Sequence, residues 1–207
     1  MISKIASKYP ILFFILLSVL LTTVQNVQAE QIVAGNVQFS LHAVSEPDLN
    51  RVILPEQPEE LMYKPTGYSL EIPLLSVTSE INWVPFYENS WAVTWLEKSS
   101  GLLEGTSLPG EGFSILTGHN HISTTEAGPF LFIKNLVVND RIFIYTSKNE
   151  MLTFSVYANE LVKPTEFQKV VDRAEEFPNT LVLLTCEDET IDGTYEHRRV
   201  IYAKPVL

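Results

Sequence analysis

Short apolar segments separated by turn signals make up most of the chain from Tyr68 to its end. Their apolar residues alternate with polar ones or form brief continuous runs, and both patterns are typical of β-strands. Many short strands of this kind favour a closed β-barrel. The pattern predicts strands over residues 68–74, 79–84, 113–118, 140–146, 151–162, 180–186 and 198–204.

Two further segments have helical spacing. Residues 90–98 place Trp91 and Trp95 four positions apart, which is one helical turn. Residues 165–177 carry apolar residues at helical spacing, with Thr165 at the position of an N-cap. We therefore predict two short helices among the strands.

The first 29 residues have the composition of an export signal. Lys4 and Lys8 precede an apolar run, and the region ends in Val-Gln-Ala, which partly fits a small-residue cleavage site. The apolar stretch over residues 10–24 is shorter than the roughly 20 residues of a membrane-spanning helix. We predict a signal peptide or N-terminal membrane anchor over residues 1–29, and either fate places residues 30–207 outside the cytoplasm.

The remainder divides into an arm and a domain. Prolines and carboxylates are concentrated in residues 45–66, a composition that disfavours a packed core. We predict an extended Pro/Glu-rich arm or linker over residues 30–66 and one folded domain over residues 67–207. The hydrophobic content of 45% is sufficient for such a domain.

The exported part of the chain is acidic. Residues 1–29 hold two lysines and no acidic residues, so removing them changes the net charge from −11 to −13. No cluster of lysines and arginines offsets this charge. The composition therefore argues against nucleic acid as a partner.

Cys186 is the only cysteine in the chain, so it cannot form an intrachain disulfide. It ends the predicted strand 180–186, where a buried run meets a polar loop. An unpaired cysteine in an exported protein is a candidate reactive thiol, although buried cysteines often only fill core space. Its position, with a strand behind it and a loop in front, favours a nucleophile.

Two other polar residues lie where they can assist such a thiol. His119 ends another apolar run, and histidine is the usual proton-transfer partner of a cysteine nucleophile. Arg198 opens a strand that returns after the Asp-Gly turn at 192–193, which should bring it near Cys186. A guanidinium there would favour the thiolate and donate hydrogen bonds to an oxyanion.

The neighbours of these residues add two expectations. Arg199 competes with Arg198, but side chains alternate across a strand, so only one of them can face Cys186. The three carboxylates at 187–189 would raise the pKa of a nearby thiol, and we expect them to face solvent.

Together these motifs resemble the sortases, the cysteine transpeptidases of the bacterial cell surface. Thr-Gly-His ends at His119, Leu-Thr-Cys ends at Cys186, and Arg198 follows twelve residues later, in the order of the sortase motifs. Further matches are Gly-Pro-Phe at 128–130 and Asn-Asp-Arg-Ile at 139–142.

The resemblance covers roughly residues 68–207 and implies an all-β fold with short helices, a closed eight-stranded sortase-type β-barrel. It makes Cys186 the nucleophile, His119 the general acid/base and Arg198 the stabiliser of the transition state. Thr185 would support the peptide substrate or the arginine. No metal and no cofactor are implied.

The resemblance also implies partners and a location. The substrates would be secreted or surface proteins that carry a C-terminal sorting motif of the Leu-Pro-x-Thr-Gly type. A thioacyl-enzyme on Cys186 would pass the protein to an amine acceptor, either a wall precursor or a pilin lysine. The enzyme would be anchored in the cell membrane by its N-terminal segment or secreted to the cell surface.

Two alternative interpretations of the same residues stay open at the sequence level. His119 and His121 are two apart, and on a strand both rings would face the same side and could bind zinc, with Cys186 as a third ligand. That arrangement would suit an exported zinc hydrolase. In the other interpretation the protein is a non-catalytic adhesion or binding domain of the envelope, with Cys186 as core filler and Arg198 as a surface residue.

Overall fold

A closed ladder of eight strands forms the body of the protein in the computed structural model, which describes residues 54–123, 125–191 and 193–206. The ladder runs β1-β2-β5-β6-β11-β12-β10-β9 and closes between β9 and β1. The strands are β1 (Lys64–Ile72), β2 (Val77–Val84), β3 (Phe86–Tyr87), β4 (Ser90–Trp91), β5 (Ser100–Leu103), β6 (Ser114–Thr117), β7 (His121–Ser123), β8 (Glu126–Ala127), β9 (Arg141–Tyr145), β10 (Met151–Val162), β11 (Leu181–Glu189) and β12 (Tyr195–Pro205). This architecture confirms the predicted all-β barrel.

Helical structure is a minor part of the described residues. One α-helix, α1 (Phe167–Ala174), is accompanied by single turns of 3-10 helix at Glu59–Leu61, Pro73–Leu75, Ile133–Asn135 and Pro164–Glu166. Within the described ranges, no helix is both long enough and apolar enough to cross a membrane.

The barrel interior is filled by side chains from all eight of its strands. Alternation along each strand sends every second residue inward, so Leu181 and Leu183 of β11 pack with Ile201 and Ala203 of β12 in one fully buried cluster. Phe130 also belongs to this cluster. Burial of one such large side chain contributes about 1.5–3 kcal/mol, so this cluster is a main source of stability.

A second apolar layer covers part of the outer barrel surface. Helix α1 supplies Phe167 and Val170, which pack with the outward-facing Val182 and Leu184 of β11. The same layer includes Trp91, whose ring lies 5.3 Å from that of Phe167. Strand β11 is therefore buried on both faces along most of its length, and its side chains become accessible only toward its end.

The predicted helix over residues 90–98 is wrong. Trp91 instead pairs with Phe86 in the β3–β4 hairpin, and its indole Nε1 donates to the carbonyl of Glu104 at 3.0 Å. Trp95 points to a different partner, because its Nε1 donates to Pro55 O at 3.0 Å. Each indole thus bonds to its own distant partner, and these tertiary contacts override the helical spacing of the two tryptophans.

The predicted helix over residues 165–177 exists but begins differently. The helical turns start at Pro164, after Lys163, whose backbone N–H donates to the carboxylate of Glu166 at 3.1 Å. Proline is favoured in the first turn because it has no N–H that needs a partner. Thr165 therefore lies inside the first turn and is not the N-cap.

Strand β5 has no counterpart among the strands that the pattern predicts. All four residues of β5 are buried, so the strand shows no alternation. Gly101 allows close packing, since a Cβ there would lie 2.3 Å from a methyl carbon of Val84. Strand β5 links β2 to β6 and is therefore needed to close the ladder.

The end of the predicted arm contacts the barrel. Leu61 is buried, and the hydroxyl of Tyr63 donates to the carbonyl of Ala92 at 2.5 Å. The described part of the arm therefore has partners in the folded domain. The predicted signal or anchor and the arm up to residue 53 lie outside the described residues.

Candidate active site

Cys186 lies near the end of β11, on the outer face of the barrel. It continues the outward series of Val182 and Leu184, but it is only half-buried, because the covering apolar layer ends before it. The thiol therefore has a rigid strand behind it and partial access from outside.

Arg198 is the direct cross-strand partner of Cys186. The antiparallel register of β11 and β12 pairs Cys186 with Arg198 and Thr185 with Arg199. Directly opposed residues point to the same face of the sheet, so Arg198 shares the face of the thiol and Arg199 points the other way. Arg198 is 7% exposed, and its Nη1 donates to the carbonyls of His197 at 3.0 Å and Tyr195 at 3.4 Å.

His119 stands level with Cys186 on the opposite side of β11. Strands β6 and β11 are parallel, and their register pairs residues that are 67 positions apart, up to Thr117 and Leu184. The same offset continues beyond the ladder, because the hydroxyl of Thr185 donates to Gly118 O at 2.7 Å. The next pair at this offset is His119 and Cys186, so the three predicted residues lie at the same end of three adjacent chain segments.

Two glycines allow the segment around His119 to pack tightly. A Cβ on Gly118 would lie 2.9 Å from the ring of Phe130, and a Cβ on Gly128 would lie 2.1 Å from His119 O. The backbone N–H of Phe130 donates to the same oxygen at 3.0 Å. The Gly-Pro-Phe sequence at 128–130 thus supports the histidine from behind.

Asn120 belongs to this site, although it is not among the residues that the sequence predicts. It is 8% exposed, and its Nδ2 donates to the carbonyl of Cys186 at 3.1 Å. Its only sequence signal is its place directly after His119. Asn120 differs from an ordinary loop residue by its burial and by its bond to Cys186 O, and both depend on the tertiary fold.

The expectation that the carboxylates at 187–189 face solvent is wrong for Glu187. Its side chain is only 15% exposed, and Arg199 Nε donates to Oε2 at 2.6 Å, with Lys134 Nζ 3.7 Å from Oε1. The hydrogen bond from Arg199 lowers the pKa of Glu187. The next residue, Asp188, places Oδ2 2.9 Å from Nδ1 of His197. Arg199 and Lys134 therefore offset the negative charge of Glu187.

A cleft of about 170 Å³ opens beside Cys186. A cavity of about 150 Å³ holds one molecule the size of benzene, so the cleft has room for one small group. Within the described part of the chain its lining comprises Asn120, His121, Phe130, Leu131, Lys134, Thr185, Cys186, Glu187, Asp188, Glu189 and Tyr195.

The two histidines do not occupy one strand. His119 follows the end of β6, the chain bends at Asn120, and His121 opens β7. Alternation along a single strand, on which the zinc interpretation was based, therefore does not apply. Among residues 54–123, 125–191 and 193–206, no three His, Cys, Asp or Glu side chains are grouped so as to hold a metal ion.

Comparison with known proteins agrees with this architecture. A profile of the Sortase domain matches residues 70–206, well over half of the chain. The fold and this match define a sortase-type transpeptidase. The chain belongs to the sortase family. No curated protein sequence matches the chain significantly.

Solved sortase structures share the fold. Sortase C-1 from Actinomyces oris is 25% identical, with 70% of this chain and 75% of that chain covered and a TM-score of 0.55. Sortase C from Clostridium perfringens, solved with the C-terminal cell wall sorting motif, is 24% identical over 72% of this chain and 76% of its own, with a TM-score of 0.53. Sortase C1 of GBS Pilus Island 1 is 23% identical over 71% and 67%, also with a TM-score of 0.53.

The packing behind His119 predicts that Gly128→Ala destabilises the protein. The new Cβ would lie 2.1 Å from His119 O, so the backbone around the histidine must move. Overpacking of this kind typically lowers the free energy of unfolding by about 1–3 kcal/mol, which urea denaturation would measure. The exposed neighbour Ala127→Ser is the control and should change the value by less than about 0.5 kcal/mol. Equal stability of both variants would contradict the close contact.

The Glu187–Arg199 contact predicts an acid-sensitive part of the stability. The folded pKa of Glu187 is lowered below its ordinary value of 4.5, so its stabilisation is present above that value and is lost as the pH falls through the folded pKa. Glu187→Gln should lower the free energy of unfolding by about 1–3 kcal/mol at neutral pH. The difference from wild type should shrink below pH 4.5.

Urea denaturation of both proteins over a pH series would measure this difference. Exposed Glu196→Gln on β12 serves as the control and should follow wild type throughout. A difference between wild type and Glu187→Gln that stays constant in acid would show that the ion pair does not stabilise the fold.

Proposed function

We propose that this protein is a sortase that cleaves a C-terminal Leu-Pro-x-Thr-Gly-type sorting motif and transfers the protein to an amine acceptor. The observation that carries the proposal is the register of β11, which places Arg198 opposite Cys186 on β12 and leaves His119 two residues beyond the last β6 pair, at the same end of the sheet. A nucleophile, a proton donor and a guanidinium at one strand end are the groups that acyl transfer from an amide requires.

The proposed reaction begins with the thiolate of Cys186. Its sulfur attacks the carbonyl carbon of the scissile amide, and the carbonyl π electrons move to oxygen, where Arg198 stabilises the negative charge. When the oxyanion collapses, the C–N bond breaks and protonated His119 gives its proton to the departing amine. The product is a thioester between the substrate and Cys186.

The second half of the reaction is the reverse chemistry with a new amine. Neutral His119 accepts a proton as the acceptor amine attacks the thioester carbonyl. The C–S bond then breaks and returns the thiolate, so the enzyme ends in its starting state. Transfer to water in place of the amine gives cleavage alone.

The substrate class is inferred from the family. The Clostridium perfringens sortase C was solved with a C-terminal cell wall sorting motif, and another structural relative comes from a pilus island. These names support sorting-signal proteins as donors and a wall precursor or pilin lysine as the acceptor. The cleft beside Cys186 has room for one small group such as an incoming amine.

The proposal includes a location at the cell surface. Lys4 and Lys8 followed by an apolar run support export, with residues 1–29 acting as a signal peptide or a membrane anchor. The substrates and acceptors named above are found on that side of the membrane. Residues 30–207 would therefore act outside the cytoplasm.

Cys186→Ala tests the proposed function directly. The variant should lose cleavage of a fluorogenic Leu-Pro-x-Thr-Gly peptide and transfer to an added amine, because no other thiol is present in the chain. Its melting temperature should stay within a few degrees of wild type, since a half-buried side chain is replaced by a smaller one. Mass spectrometry of wild type with the peptide should show an acyl adduct on Cys186. Turnover that persists in the variant would refute the mechanism.

The two neighbouring arginines should respond differently to lysine. Arg198→Lys keeps the charge but loses the planar fork, so kcat should fall by about 10²–10³, as for loss of one oxyanion donor. KM should change less, because the oxyanion exists only in the transition state. Arg199→Lys is the matched control and should retain most of kcat, since Arg199 bonds Glu187 on the opposite face. The opposite ranking would assign the oxyanion to Arg199.

A further inference from the structure

The β6–β11 ladder ends before it reaches the proposed catalytic residues. Its last pair is Thr117 with Leu184, two residues short of the level of His119 and Cys186. Beyond this pair, bonds from side chains to backbone carbonyls join the two segments. Thr185 Oγ1 donates to Gly118 O at 2.7 Å, and the Asn120 bond to Cys186 O follows at 3.1 Å.

Both ends of the Asn120 amide bond to the backbone. While Nδ2 donates to Cys186 O, Oδ1 accepts a hydrogen bond from the backbone N–H of His121 at 2.7 Å. The backbone carbonyl of Asn120 accepts a third bond, from the N–H of Gly128 at 2.8 Å. A buried amide held at both ends has one orientation, because turning it would leave buried polar groups without partners.

Asn120 is therefore covalently next to the proposed acid/base and hydrogen-bonded to the backbone of the proposed nucleophile. Among the site residues described above, Asn120 alone has both connections. A shift of this side chain would change the separation between the imidazole and the thiol without removing either group. Errors of about 1 Å in the placement of reacting groups can cost about 10² in rate.

We propose that Asn120 is a positioning residue, which holds the imidazole of His119 at the distance from the Cys186 thiol that proton exchange between them requires. The inference rests on the proposed function, because it gives those two side chains their roles. Asn120 acts through its neighbours, since its amide is bonded to backbone groups at both ends. It therefore should affect the rate and the protonation of the thiol more than the binding of substrate.

Two substitutions separate the hydrogen bonds of the side chain from its packing. Asn120→Ala removes both amide bonds and most of the side-chain volume, whereas Asn120→Leu removes the same bonds but keeps an uncharged side chain of about the same size. Asn159→Ala is the matched control, because Asn159 on β10 also donates to two backbone carbonyls, those of Lys134 and Leu136. The control also removes the hydrogen bond that Asn159 Oδ1 accepts from Arg199 Nη1 at 3.1 Å, on the face of the sheet opposite Cys186.

The first measurement is kcat and KM on the fluorogenic sorting peptide. Both Asn120 variants should lose about 10–100-fold in kcat, with KM within about threefold of wild type. The second is the rate of alkylation of Cys186 by iodoacetamide as a function of pH, which follows the thiolate and requires no peptide. In both variants the midpoint of this profile should move to higher pH by about one unit, while Asn159→Ala keeps the wild-type profile.

Three results would overturn the proposal. The first is an unchanged kcat and an unchanged alkylation profile in both Asn120 variants. The second is a lower kcat with an unchanged alkylation profile, or a change in kcat and profile of the same size in Asn159→Ala. Either outcome would assign Asn120 a general structural role. If Asn120→Ala does not fold, Asn120→Leu decides. The third result is failure of both variants to fold, which would show that the residue serves the fold. Wild type that alkylates normally but cleaves no peptide would instead refute the proposed function.

Discussion

The pairing register of β11 with its two neighbours is the constraint on which the candidate site depends. The parallel ladder with β6 directs the segment that carries His119 to the same end of the sheet as Cys186, and the antiparallel ladder with β12 places Arg198 opposite Cys186. A slip of one residue against β12 would bring Arg199 opposite Cys186 instead. The site is thus assembled by backbone hydrogen bonds between strands that are far apart in sequence, and the side chains are fixed once the register is fixed.

Hydrophobic patterning alone does not determine this register. A half-buried strand is held in register because a slip would expose its apolar face, but Leu181 to Leu184 are apolar on both faces and buried on both. A slip would exchange one apolar set for another at small cost. The polar residues at the strand end break this ambiguity, because Thr185 bonds Gly118 O and Glu187 bonds Arg199 only in the observed register. The polar contacts beside the site therefore specify the pairing that creates it.

The sequence predicts most of the barrel but not its local exceptions. Strand β10 has the bounds that its alternation predicts, and the position of Cys186 at the end of an apolar run is visible without the structure. The tryptophans at 91 and 95 have helical spacing but bind separate partners, which only the fold supplies. Strand β5 is short and buried on both faces, so it has no alternation to detect. The burial of Glu187 is not predicted, because nothing local in the sequence shows that Arg199 of the neighbouring strand bonds to it.

The carboxylates that follow Cys186 would raise the pKa of its thiol if they faced it, and the strand geometry keeps Glu187 away from it. Alternation places Glu187 on the opposite face from the thiol, where Arg199 and Lys134 offset its charge. The same alternation divides the adjacent arginines, since Arg198 shares the face of Cys186 and Arg199 shares the face of Glu187. The carboxylate of Glu187 is thus paired with Arg199, and Arg198 remains on the face of the proposed thiolate. If Arg199 and Arg198 exchanged faces, Glu187 would lose this partner, so the proposed division of roles between two consecutive arginines depends on the strand register.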